Sequence, residues 1–106
     1  MKIIESNNWL QIYNQSNVIG NSITNFKNIE IVKLTINPNG EVGLHTLPYN
    51  VIFFVLKGSP TLLTQNKKIT VQKNSTITVE LNENRGWINL TNNICEILVI
   101  KNLEKK

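Results

Sequence analysis

The 106-residue chain carries 11 basic and 7 acidic side chains, a net charge of +4. It has 15 Ile and 18 Asn but no Ala and no Asp, and because Ala favours helices, Ile strands and Asn turns, this composition argues against a helical bundle. Its single cysteine, Cys95, excludes an internal disulfide or a multi-cysteine metal site, and without Asp there can be no Ser-His-Asp triad.

In chain order, Trp9 to Tyr13 alternates like a strand or an edge strand. Residues 14–28 are polar and rich in turn formers, with Ile19, Ile23 and Phe26 as isolated anchors. Ile29 to Ile36 predicts a strand, stopped by the turn Asn37-Pro38-Asn39-Gly40. Val51 to Leu56 is apolar at every position, the pattern of a strand buried on two sides. Thr61 to Gln65 and Lys68 to Gln72 predict a hairpin turning at Asn66-Lys67, and Thr76 to Val79 the next strand. Trp87 to Leu90 and Ile94 to Lys101 read as the last two strands, and residues 103–106 as a frayed tail. Short strands with regular turns and no helical period predict an all-β sandwich or barrel. The chain reads as one domain, 1–106, with an N-terminal strand or arm (1–28) and a barrel core (29–101).

Two spacings sharpen this reading. One runs through Asn39, His45, Leu47, Val51 and Gly58, the other through Asn74, Glu80, Asn82, Arg85 and Asn89. Their order resembles the two motifs of the cupin family, with a hairpin between them. The resemblance implies a jelly-roll β-barrel of two antiparallel sheets. Only His45, Gly58 and Asn89 keep the family's residue. In the family, two His and a Glu from the first motif and a His from the second bind a divalent metal. Those positions here hold His45, Leu47, Val51 and Arg85. Leu and Val have no donor atom, and a guanidinium repels a cation, so no metal and no cofactor is expected.

A cupin-like register turns His45, Leu47, Val51, Phe53, Val55, Arg85, Trp87 and Asn89 toward the barrel interior. The candidate ligand-binding set is His45, Leu47, Tyr49, Phe53, Arg85, Trp87 and Asn89. Arg85 is the chain's only arginine. Its planar fork suits a carboxylate or phosphate, unless Glu80, Glu83 or Glu41 pairs with it or it reaches solvent. His45 is either a ligand contact or a barrel-lining side chain bonded to a neighbour. Tyr49 is a lid over the mouth or a plain loop aromatic. Cys95, with no activating neighbour, reads as a core residue.

No residue set reads as catalytic. The expected function is metal-free binding of a small polar or anionic metabolite, such as a sugar derivative or a carboxylate. The alternatives are a metal-independent isomerase, epimerase or lyase using His45 and Arg85, or a structural barrel without ligand. The basic residues are scattered and not interleaved with aromatics, so nucleic acid is not an expected partner. Met1 to Asn8 lacks the apolar core of a secretory signal, and no apolar run approaches the ~20 residues of a membrane helix. The expectation is a cytoplasmic protein with no membrane partner. An exposed sheet edge, together with the cupin resemblance, leads to the expectation of a homodimer.

Overall fold

A computed structural model describes residues 1–104. After a short 3-10 turn at Ser6–Asn8 come ten strands: β1 (Leu10–Gln15), β2 (Val18–Phe26), β3 (Ile29–Ile36), β4 (Glu41–His45), β5 (Asn50–Lys57), β6 (Thr61–Leu63), β7 (Lys68–Thr70), β8 (Thr76–Val79), β9 (Arg85–Ile88) and β10 (Cys95–Asn102). They form a six-stranded sheet in the order β1-β2-β3-β10-β5-β8 and a four-stranded sheet in the order β4-β9-β6-β7. Every pairing is antiparallel. No helix among the described residues is long and apolar enough to cross a membrane.

Asparagine turns the chain. Asn17, Asn39, Asn74 and Asn82 all sit at φ between 61° and 71°, a left-handed region that Asn tolerates better than most residues. Ser16 and Asn17 make the two-residue turn between β1 and β2, both at positive φ. That geometry matches the twist of the strands it joins.

The polar segment expected between residues 14 and 28 is in fact mostly strand: Val18–Phe26 is β2, paired with β3 along its length with one irregularity between Ser22 and Thr24. Hydrogen bonding to β1 on one side and β3 on the other holds it, so tertiary pairing overrides its weak local propensity. Gly20 lets it pack closely: a Cβ there would lie 3.1 Å from that of Tyr13 and 3.3 Å from Leu34. The turn placed at Asn66-Lys67 moves back by one residue. Thr64 and Lys67 close it through Thr64 N–H to the Lys67 carbonyl oxygen (2.9 Å) and Lys67 N–H to Thr64 Oγ1 (3.0 Å). Of the tail expected to fray, residues 105 and 106 lie outside the described residues, while Leu103 N–H donates to the Asn28 carbonyl oxygen at 2.7 Å.

The core lies between the sheets. Val32 and Ile36 of β3, Val51, Phe53 and Val55 of β5, and Cys95, Ile97 and Val99 of β10 are all buried and point to one face. The apolar run of β5 is therefore buried on one face only. Its outward Ile52 is 41% exposed.

One end of the barrel is closed. There Asn89 is fully buried, its Nδ2 donating to the carbonyl oxygens of Ile36 (2.8 Å) and Asn93 (2.7 Å). Its Oδ1 accepts from the backbone N–H and the hydroxyl of Thr91 at 2.9 and 2.7 Å. The backbone of Asn89 meets the Asn37–Gly40 turn through Asn39 N–H and the Gly40 carbonyl. Gly58, at φ 82°, approaches so near that a Cβ would fall 2.7 Å from the Cys95 sulfur. Burial pushes the Cys95 thiol pKa up, as expected of a core residue.

Candidate functional site

The other end of the barrel holds a cavity of about 270 Å³. Six of the seven sequence-derived candidates line it: His45, Leu47, Tyr49, Phe53, Arg85 and Trp87. Asn89 does not. Its amide is consumed by the closed end, so the reading of Asn89 as a ligand contact is corrected: it ties the loop between β9 and β10 to β3. Val51 and Val55 are core residues rather than part of the cavity wall.

A bulge places the key pair. Val42 stands opposite Trp87 and His45 opposite Arg85, so β4 spends Gly43 and Leu44 against the single residue Gly86. The extra residue restores the inward phase, and both Val42 and His45 reach the cavity although three positions separate them. Gly86 is required for this approach, because a Cβ would lie 2.4 Å from the Val42 carbonyl oxygen. His45 and Arg85 are direct cross-strand partners, a position whose Cβ atoms sit roughly 4.5–5.5 Å apart.

His45 is exposed at the rim. Its Nδ1 is 3.0 Å from the Gly43 carbonyl oxygen, which can only accept, so Nδ1 donates and, in the neutral ring, Nε2 holds the lone pair. Leu47 and Tyr49 are half-buried beside it in the loop before β5. The floor is apolar: Phe53 and Trp87 pack edge to face with centroids 5.3 Å apart, over Val32 and Val99.

Arg85 stands between rim and floor. It is 3% exposed, and among the described residues it makes no ion pair. Its Nε and Nη1 are buried with no hydrogen-bond partner, and so is Trp87 Nε1. Glu83, one of the expected partners, instead accepts from the backbone N–H of Glu80. Burial lowers the guanidinium pKa, and the nearby Glu83 carboxylate, with Tyr49 once ionised, only partly offsets that loss of hydration. The second cation of the wall, Lys101, is held by Glu30 at 3.4 Å.

Tyr13 and Lys101 also reach the cavity, and sequence reasoning did not select them. Alternation along Ile29 to Ile36 could have found Val32 and Leu34. The phase of Cys95, Ile97 and Val99 continues to Lys101, but its charge argues against an inward position.

The donor set does not suit the metal that a cupin resemblance would imply. Of the four motif positions only His45 offers a lone pair, and Arg85 places a fixed positive charge at another. No group of three or more metal-ligating side chains comes together among the described residues.

No protein-family model matches the chain. No curated protein matches it either. Solved structures do. The polyketide cyclase RemF from Streptomyces resistomycificus superposes with a TM-score of 0.86 at 18% identity, over 98% of this chain and 80% of that one. An RmlC-like cupin from Shewanella frigidimarina gives 0.82 at 8% identity, over 96% and 90%. A predicted oxalate decarboxylase from Thermotoga maritima gives 0.82 at 16% identity, over 97% and 100%. Two antiparallel sheets in this order, closed at one end and hollow at the other, give the chain the fold of a small cupin jelly roll.

Proposed function

We propose that the protein binds a small anionic molecule in its barrel cavity, without a metal, and that Arg85 anchors the anion. The observation that carries this reading is a guanidinium 3% exposed, lining the cavity, with two nitrogens unpartnered and no carboxylate paired to it. A buried polar group without a partner is rare in folded proteins because it forfeits its hydration. An incoming carboxylate or phosphate restores what burial removed.

A thermal-shift screen of small carboxylates, sugar acids and sugar phosphates, followed by calorimetry, tests the reading. One charge-assisted contact is worth about 1.5–3 kcal/mol, roughly 10- to 150-fold in affinity. Arg85→Lys is expected to weaken any anion that binds, and Arg85→Met to weaken it further. Binding as tight in Arg85→Met as in the parent overturns the proposal.

One observation favours a second reading. His45 Nε2 is free for proton transfer directly across from Arg85. Two neighbours in fold, described as a polyketide cyclase and a predicted oxalate decarboxylase, support this reading. Turnover of a bound acid that disappears in His45→Ala while binding persists would make the site catalytic.

A further inference from the structure

The cavity also restricts which anion it suits. Its charge is the first constraint. Lys101 is already neutralised by Glu30, which in turn accepts from Ser22 Oγ at 3.2 Å, so Arg85 is the only permanent cation of the wall without a paired carboxylate. One unneutralised cation matches one negative charge.

The wall is the second constraint. Beyond Arg85 it is mostly carbon, from aliphatic side chains of β1, β3, β4 and β10 and the rings of Phe53 and Trp87; its few other polar groups are Tyr13, His45, Tyr49, Lys101 and the buried Trp87 Nε1. The Tyr13 hydroxyl is already engaged by Gln15 Nε2 at 2.9 Å. A polyhydroxylated ligand would bring more hydroxyls than these few groups can partner, and each buried hydroxyl without a partner disfavours binding.

Size is the third. About 270 Å³ lies just below the range of roughly 300–1,000 Å³ typical of sites for drug-sized ligands. The charge sits beside the exposed rim at His45, and the aromatic floor lies two residues further along β9.

Resting on the reading of Arg85 as the anion anchor, we infer that the ligand is a compact apolar monocarboxylate, its carboxylate on Arg85 at the rim and its hydrocarbon body against Phe53 and Trp87. Sugar acids and phosphates, which share the charge but not the apolar body, fit this wall poorly.

Calorimetric titration of the parent protein distinguishes these classes. The probes are butyrate, pentanoate and hexanoate, phenylacetate with its neutral amide, glucuronate, and inorganic phosphate. Affinity is expected to rise about fourfold per added methylene along the aliphatic series. Phenylacetate is expected to exceed phenylacetamide and glucuronate by tenfold or more, and Arg85→Met to abolish the preference for acid over amide. If glucuronate or phosphate binds through Arg85 while hexanoate and phenylacetate do not, the ligand class is overturned and the anion site stands. Acids that bind Arg85→Met as tightly as the parent overturn both. No binding of the apolar acids at millimolar concentration also overturns the inference. The acid–amide comparison in the parent needs no variant to fold.

Discussion

At the scale of single residues, Arg85 at the start of β9 and Asn89 just past its end have opposite roles. Asn89 has both side-chain atoms hydrogen-bonded, four contacts in all, while Arg85 has two buried nitrogens with none. Asn89→Ala takes the side-chain partner from the buried Ile36 carbonyl and from the part-buried Thr91 N–H. The expected cost is about 3 kcal/mol or more in urea unfolding, and a loss under about 1 kcal/mol would show that the loop re-bonds elsewhere. Both residues were conspicuous in the sequence, Arg85 as the only arginine and Asn89 by its motif spacing. What the sequence could not reveal was their separation. Spacing puts Arg85 and Asn89 four positions apart with Trp87 between, but only the loop geometry at Thr91 and Asn93 turns Asn89 to the closed end.

Among the elements, β3, β5, β8 and β10 were legible because their apolar residues are dense and their turns sharp. β2 was not, because Asn21, Ser22, Thr24 and Asn25 carry no apolar alternation and its strand state comes from its neighbours. The run in β5 misled in a different way. Val51, Phe53 and Val55 are buried, but the exposed Ile52 joins the half-buried Ile31 and Ile100 in an outward row across β3, β10 and β5 that no strand among the described residues covers. Exposed apolar rows of this kind mark association surfaces, and the free edge at β1, with Leu10 68% exposed, adjoins the same sheet. The expected outcome is a homodimer at micromolar concentration in light scattering, converted to monomer by Ile52→Lys. A monomeric parent would refute it.

On the scale of the whole molecule, the barrel separates its labours. Hydrogen bonds seal one end, while apolar walls and a lone cation shape the other. The unpartnered guanidinium has a thermodynamic consequence: the site is held at the expense of the fold. A group that loses its hydration and gains no partner lowers the stability of the empty protein by about 1–3 kcal/mol, and a ligand that binds only the folded state returns stability as its concentration rises. Arg85→Met is therefore expected to melt several degrees above the parent without ligand and to stop responding to carboxylates. A variant that melts lower would mean that Arg85 supports the barrel. Otherwise the protein carries a conflict between being stable and being useful, and its melting temperature gauges how much of it is occupied.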